Sequence, residues 1–334
     1  MRIIGRAYLV SRAPLLAVGL ALALSLSLAL GQAGESTVIP SNALTPTNAR
    51  FNSDARVVLV PTTVMDRKGA LVSGLRREAF AVTQDNAPQQ ITAFGEEDVP
   101  VSLGVVLDTS GSMQRVLGEA KNTLRTFFDV CNPEDEAFLF TVGARPNRES
   151  GFTRNFDTLL SQALFAQSGG STALVDTIYA ALAQTRSAHQ GRKAILVISD
   201  GMDNHSRYTA SELMSAAVEA DLQIYSISVF DPPRNKKPIE LKEERDGIFF
   251  LEELSKKTGG IQMVVHDSAE ALEVAGRMGR VMRDQYLIGY VPGAVTDAVR
   301  NDAGRNDTGK WHSIKVAVKT SDVRAYARSG YYTK

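Results

Sequence analysis

The sequence predicts an α/β fold with a mostly parallel central sheet, and three observations support this. Short apolar runs alternate with amphipathic segments of helical length between residues 101 and 282. The run at residues 194–198 is wholly apolar, which is typical of a strand buried on both faces. The segments before and after this region are β-rich and divided by turns. We therefore expect a Rossmann-like domain with helices on both sheet faces, flanked by a small antiparallel β unit.

The β unit is expected to be built from two segments, residues 51–98 and residues 286–334. Neither segment has enough strands to bury a core alone, so we expect them to pair with each other. Turns are predicted at residues 66–69 and 85–86, where Asp, Asn and Gly cluster. The expected strands cover residues 57–64, 80–83, 91–94, 286–291, 313–318 and 323–332.

The α/β domain is expected to cover residues 99–285. The charged, proline-containing stretch at residues 231–247 is interpreted as a surface excursion. Residues 293–310 are predicted to form a long hairpin loop, because their acidic residues fit no regular calcium-ligand spacing. In chain order we expect strands at residues 102–107, 137–142, 194–198, 224–229 and 261–265, and helices at residues 113–130, 156–166, 174–185, 211–220, 249–258 and 269–282.

The N-terminus has the pattern of an export signal over residues 1–33, followed by a polar linker at residues 34–50. Three arginines precede an almost wholly apolar run at residues 15–30, and small residues follow it. The alternative is an uncleaved anchor, since the run is long for a signal core and short for a spanning helix. Either reading predicts an exported protein of the periplasm, cell envelope or extracellular space. Membrane attachment is expected only through an uncleaved N-terminal segment.

Composition excludes several classes of protein. Lys plus Arg number 37 and Asp plus Glu number 37, and no basic run stands out, which argues against a nucleic-acid partner. The chain has one cysteine, Cys131, so an intramolecular disulfide and a cysteine-based zinc cluster are both ruled out.

Oxygen-bearing side chains follow the ends of several predicted strands and loops. Asp108, Ser110 and Ser112 come directly after the first strand, residues 169–172 are Gly-Gly-Ser-Thr, and residues 199–201 are Ser-Asp-Gly. Each piece alone has an ordinary explanation as a helix cap or a turn. Because ligands collect at the carboxyl ends of strands in open α/β sheets, the three loops are expected to meet. Their oxygen-only chemistry predicts a site for Mg²⁺, with Mn²⁺ or Ca²⁺ as alternatives.

The residues Asp108-Thr109-Ser110-Gly111-Ser112, Thr172 and Asp200-Gly201 resemble the metal-ion-dependent adhesion site of von Willebrand factor A domains. The resemblance covers the α/β region, and the flanking β segments resemble those of exported bacterial von Willebrand factor A-related proteins. It implies direct metal binding by Ser110, Ser112 and Thr172, with Asp108 and Asp200 acting largely through water. Ser171 is an alternative ligand to Thr172. Further residues beside the ligands or at the rim of the site are Ser171, Gly201, Asp203 and Asn204.

We interpret the protein as a metal-dependent, adhesion-type binding module that recognises an Asp or Glu side chain of another protein. The alternatives are a structural envelope component whose metal only ties loops together, and a metal-assisted hydrolase. No catalytic residue is assigned, because no Gly-x-Ser-x-Gly elbow surrounds Ser110 or Ser112. His205 is the histidine closest to the site in sequence and is interpreted as a surface loop residue.

Overall fold

A computed structural model describes residues 57–96, 99–229, 237–293 and 309–333. The predicted signal and linker lie outside this part of the chain, as does most of the predicted hairpin loop at residues 293–310. The strands are β1 (Val58–Asp66), β2 (Phe80–Gln84), β3 (Ala87–Gln89), β4 (Ile91–Glu96), β5 (Val101–Asp108), β6 (Glu136–Val142), β7 (Pro146–Arg148), β8 (Arg192–Ser199), β9 (Gln223–Val229), β10 (Gln262–Val265), β11 (Tyr286–Tyr290), β12 (Trp311–Val318), β13 (Val323–Ala327) and β14 (Gly330–Tyr332). The helices are α1 (Leu117–Asp129), α2 (Phe156–Phe165), α3 (Leu174–Gln184), α4 (Ala210–Glu219), α5 (Pro238–Thr258) and α6 (Ser268–Arg283).

The central sheet has the strand order β10-β9-β8-β5-β6-β7. All neighbouring pairs are parallel except β6 with β7, which is antiparallel. Every residue of β5 is buried, as its apolar sequence predicts for a strand in the middle of a covered sheet. The register pairs Asp108 with Val142 and Leu107 with Ile198, so β5, β6 and β8 end side by side.

Helices cover both faces of this sheet. Helices α1, α2 and α6 pack on one face, in a core that includes Leu103, Val105 and Leu107 of β5. Helices α3, α4 and α5 pack on the other face, against residues such as Val106 and Val197. The predicted fold, a mostly parallel sheet between two helical layers, is confirmed. No helix within the described residues is both long enough and apolar enough to cross a bilayer.

The flanking β unit consists of two antiparallel four-stranded sheets, with strand orders β13-β1-β11-β4 and β14-β12-β2-β3. Each sheet combines strands from both ends of the described chain, because β1 pairs with β11 and β13, and β2 pairs with β12. The two sheets bury a shared core that includes Val60, Phe80, Tyr286 and Ile288. The predicted unit built from N- and C-terminal segments is therefore confirmed.

Three element predictions were wrong in extent. The predicted helix at residues 113–130 begins with a separate 3-10 turn, Ser112–Arg115, and the α-helix starts only at Leu117. Residues 238–247, predicted as part of a surface excursion, are the first half of α5. Pro238 stands at the start of that helix, where proline is favoured, and Glu240 accepts a hydrogen bond from the Lys237 amide at 3.0 Å. The charged residues at 238–247 therefore belong to a solvent-exposed helix and not to a loop.

The predicted strand at residues 323–332 is divided into β13 and β14 at Arg328 and Ser329. The Ser329 amide donates to the Lys257 carbonyl at 3.1 Å, at the end of α5. The chain therefore leaves one sheet of the β unit, contacts the α/β domain and enters the other sheet. Sequence periodicity cannot reveal such a switch, because both strands have the same β character.

Deleting residues 293–334 is expected to destabilise residues 57–94 more than the α/β domain. The deletion removes β12 and β13, so β2 and β1 each lose a hydrogen-bonded neighbour and the shared core is opened. Limited proteolysis followed by mass spectrometry would locate the first cuts. A control deletion of residues 294–308 removes none of the described strands and should keep the protection. Unchanged protection of residues 57–94 in the larger deletion would contradict the prediction.

Candidate metal centre

Asp108 is the last residue of β5 and is fully buried. One carboxylate oxygen accepts the Ser110 amide at 2.9 Å, and the other accepts the Ser199 hydroxyl at 2.5 Å. Ser199 ends the neighbouring strand β8, so Asp108 joins the ends of two adjacent parallel strands. The carboxylate is held in a fixed orientation at the carboxyl edge of the sheet.

Ser110 and Ser112 place two hydroxyls next to each other. Their Oγ atoms are 3.1 Å apart. Ser110 is buried whereas Ser112 is exposed, so the pair runs from the protein interior to solvent. Met113, fully buried, anchors the 3-10 turn that follows. The turn points the two side chains the same way, as a shared cation would require.

The predicted glycine loop contacts the serine loop directly. The Gly111 amide donates to the Gly170 carbonyl at 3.2 Å, and the Gly169 amide donates to the Thr109 carbonyl at 3.0 Å. Gly170 has a φ of +77°, in the left-handed region that glycine adopts at little cost. These bonds bring the segment that carries Ser171 and Thr172 to the edge of the sheet where Asp108 lies.

Thr172 is held on both sides by the loop after β8. Its amide donates to the Asn204 side chain at 2.9 Å, and its carbonyl accepts the amides of Asn204 and His205 at 3.0 and 2.9 Å. Thr172 is 2% exposed, whereas Ser171 is half-buried. Both alternatives for the third hydroxyl ligand are thus on the same loop, and Thr172 is the more enclosed of the two.

Asp200 follows β8 and is 5% exposed. Its Oδ1 accepts the Met202 amide at 3.0 Å. The next residue, Gly201, has a φ of +81°, and its backbone lies against the backbone of Gly247 in α5. A Cβ atom added to Gly201 would be 2.3 Å from the Gly247 carbonyl oxygen. Gly247 therefore positions the Asp200 turn, a role that the sequence analysis did not assign.

Electrostatics favour a cation between the two carboxylates. Burial, and secondly the negative charge of Asp200, raise the pKa of Asp108 to about 7 from 3.8. The hydrogen bonds from Ser199 and Ser110 oppose this rise. The carboxylate is therefore held in an environment that penalises its own charge unless a positive group is near. A divalent cation would remove that penalty.

The donor set fits Mg²⁺. It offers hydroxyls from Ser110, Ser112 and Thr172 and carboxylates from Asp108 and Asp200, with no nitrogen or sulfur. Among the described residues no three His, Cys, Asp or Glu side chains form a cluster able to hold a metal. The same oxygens also suit Mn²⁺, and Ca²⁺ would need further oxygen ligands.

Asp203 and Asn204, predicted beside the ligands or at the rim, support the neighbouring loop. Asp203 Oδ2 accepts the Val175 amide at 2.8 Å, at the start of α3, and also the Ser206 hydroxyl at 2.5 Å. Asn204 holds Thr172 as described above. Asp176, which the sequence analysis did not single out, accepts the amides of Arg207 and Tyr208 at 2.9 and 3.0 Å. The loop after β8 is thus fastened to α3.

The histidines lie in other surroundings. His205 is exposed on the loop after β8. His189 contacts Glu136 at 2.8 Å, and Glu136 also accepts the Ser102 hydroxyl at 2.5 Å, at the amino end of β5. Within the described chain no hydrogen bond joins a histidine to Ser110 or Ser112.

Residues 103–202 match the family described as von Willebrand factor type A domain. No curated protein matches the chain. Solved structures with a similar fold include BatB from Bacteroides thetaiotaomicron, with 21% identity, coverage of 54% of this chain and 98% of that one, and a TM-score of 0.43. A von Willebrand factor type A protein from Catenulispora acidiphila has 11% identity, coverage of 85% and 76%, and a TM-score of 0.47. The corresponding domain of the pilus tip protein Mfa5 from Porphyromonas gingivalis has 11% identity, coverage of 55% and 94%, and a TM-score of 0.40. At these identities and scores the likeness indicates nothing about what this chain binds.

Proposed function

We propose that this von Willebrand factor type A domain is an exported, metal-dependent protein-binding module. The observation that carries the proposal is the meeting of two buried carboxylates and two adjacent hydroxyls at a solvent-facing edge of the sheet. Export is inferred from the signal-like residues 1–33, and the expected location is the periplasm, cell envelope or exterior.

In this proposal Ser110, Ser112 and Thr172 bind Mg²⁺ directly, and Asp108 and Asp200 support it largely through water. Most direct ligands from the chain are neutral hydroxyls, so little of the cation's charge is cancelled close by. A bound magnesium ion would supply a positive centre for an Asp or Glu side chain of another protein. Exposed Ser112 marks the side from which that carboxylate would approach.

Hydrogen bonds within the chain fix the residues that would bind the cation. Asp108 is fixed by Ser110 and Ser199, and the glycine loop is bonded to the serine loop. Since one carboxylate–metal contact cannot distinguish acidic partners, specificity would come from the surrounding surface. Asp203, Asn204 and exposed Gln114 lie on loops that border the site and are candidates for that surface.

A structural role is the second candidate, and it is favoured by the many bonds that the site loops already make with one another. In that case the cation ties the loops together and binds no partner carboxylate. The two functions differ in one measurable respect. Only the binding module should prefer a peptide with Glu over its Gln twin in the presence of magnesium.

The proposal is tested with a peptide array in which every Glu- or Asp-containing peptide has a Gln or Asn twin. The wild-type protein should retain acidic peptides over their twins in magnesium, lose them with chelator and regain them when magnesium returns. Asp108→Ala should retain none, and the control Asp157→Ala, in the exposed first turn of α2, should behave as wild type. Equal retention of both twins under all conditions would refute carboxylate recognition.

A separate assay tests the hydrolase alternative. Turnover of generic ester or phosphoester substrates that is abolished by Ser110→Ala would favour a hydrolase.

A further inference from the structure

A cavity of about 490 Å³ lies where the β unit meets the α/β domain. Its lining includes Arg192 and Lys193 at the start of β8 and Gln223 at the start of β9. The metal centre lies at the other end of the same strands. Arg192 and Ser199 are the two ends of β8, about 23 Å apart at the usual rise of a strand. The cavity is therefore a separate site, and its volume is in the range of small-molecule pockets.

Much of the cavity lining is apolar. Leu59 on β1 is 45% exposed although its neighbours Val58 and Val60 are buried in the β unit. It therefore points out of that core and towards the cavity. Val99 is 37% exposed, and the other apolar lining residues include Pro61, Leu222 and Leu287. On a strand with one buried face the outward positions are ordinarily polar, so apolar residues grouped around a cavity suit an apolar ligand.

Positive charge surrounds this apolar surface. Among the described residues, four cationic side chains line the cavity against one acidic side chain, Asp221. The four are Arg192, Lys193, Lys257 and Arg328. Arg328 is paired with Asp221. The remaining three form no ion pair within the described chain, which leaves an excess of positive charge around the opening.

Arg192 is held at the cavity by hydrogen bonds to uncharged groups. Its guanidinium donates to the Gln285 side chain at 2.5 Å and to the Arg283 carbonyl at 3.4 Å, and both acceptors are neutral. Its Nε is buried and has no hydrogen-bond partner among the residues that the structure describes. A partly buried charge that faces only neutral oxygens is costly unless an anion neutralises it. Lys193 and Lys257 carry mobile ammonium groups that could reach such an anion.

We propose that this cavity binds an amphipathic organic anion with a single acidic head group and an alkyl tail. Lys193 and Lys257 would contact the head group, with Arg192 adding fixed positive charge. The tail would lie on Leu59, Val99 and Leu222. Charge and shape select this class, because a cation would be repelled and a neutral alcohol would leave the positive charges uncompensated.

Isothermal titration calorimetry of the full chain with decanoate, decanol and decyltrimethylammonium tests the proposal. Decanoate should bind at least tenfold more tightly than decanol, and decyltrimethylammonium should not bind. Lys193→Glu with Lys257→Glu should weaken decanoate binding by at least tenfold and leave decanol unchanged. The matched control, Lys68→Glu with Lys315→Glu, alters two exposed lysines outside the cavity and changes the net charge equally. It should bind decanoate as wild type does.

The apolar part of the site is tested by Leu59→Ser, which should weaken decanoate and decanol together. Because Leu59 is exposed, this change should leave the fold intact, as circular dichroism would verify. Decanoate binding should also be indifferent to chelator and to Asp108→Asn, which separates this site from the metal centre. The proposal is overturned if decanoate does not bind, if decanol binds equally well, or if the two lysine double variants bind decanoate alike.

Discussion

Magnesium is expected to raise the unfolding temperature of the wild-type protein, and Asp108→Asn is expected to lose that response. A ligand that binds only the folded state stabilises it by about 2.7 kcal/mol at a hundred times its dissociation constant. Asn keeps the shape of Asp108 and can still bond Ser110 and Ser199, but it removes one of the two charges that attract the cation. Differential scanning fluorimetry over a magnesium series, with calorimetry to count sites, measures both effects.

Without magnesium and at alkaline pH, Asp108→Asn should be more stable than the wild-type protein. The pKa of Asp108 rises from 3.8 in the unfolded chain to about 7 in the fold, so the folded state holds its proton more tightly. Asp108 contributes its whole stabilisation of the fold below pH 3.8, and this contribution is lost as the pH rises to about 7. At 1.36 kcal/mol per unit the loss is at most about 4 kcal/mol. Asp108→Asn avoids it and should therefore unfold at a higher temperature than wild type at pH 8.

A control variant and the pH dependence of wild-type stability test whether magnesium acts at Asp108. Asp157→Asn removes a charge from the exposed first turn of α2 and should leave the magnesium response in place. Magnesium should also flatten the dependence of wild-type stability on pH, because the cation favours the charged carboxylate. If wild type shows no binding of magnesium or manganese by calorimetry, the metal centre is disproved. If magnesium stabilises wild type and Asp108→Asn equally, the ion binds elsewhere.

Gly247→Ala is expected to destabilise the fold and to weaken magnesium binding together. A Cβ atom at residue 247 would lie 2.5 Å from the Gly201 carbonyl carbon and 2.6 Å from its oxygen, so one of the two backbones must move. Overpacking of this kind typically costs about 1–3 kcal/mol. Because Gly201 directly follows Asp200, the movement is passed to a residue of the proposed metal centre. Thermal unfolding and magnesium calorimetry on the same sample measure the two losses.

Gly118→Ala is the matched control, since it makes the same change within another helix, α1. No atom of the described residues lies within 4 Å of the Cβ position at Gly118, and the residue is exposed. Alanine is the better helix former, so this variant should be at least as stable as wild type, with magnesium binding unchanged. Gly247→Ala with wild-type stability and affinity would show that α5 does not position the Asp200 turn.

Short-range sequence patterns explain why the placement of the candidate site residues could be predicted. Asp108, Ser110 and Ser112 are neighbours in the chain, and the apolar run before them identifies the strand that they follow. The alternation of strands and helices then predicts a parallel sheet, whose carboxyl edge brings the loops of residues 169–172 and 199–201 together. Each step depends on short-range pattern and on a general rule of chain topology. The predicted α/β fold with its flanking β unit is accordingly confirmed.

The sequence by itself therefore determined the fold class, the strand-end position of the oxygen side chains and the pairing of the two β segments. Only the tertiary structure decided the contacts between residues far apart in the chain. The Gly247 backbone contacts Gly201, the Ser199 hydroxyl donates to Asp108, and Arg192 and Lys257 line the same cavity. Such contacts depend on how helices and sheets dock. That docking is set by the packing of many side chains at once, and no periodicity or spacing along the chain records it.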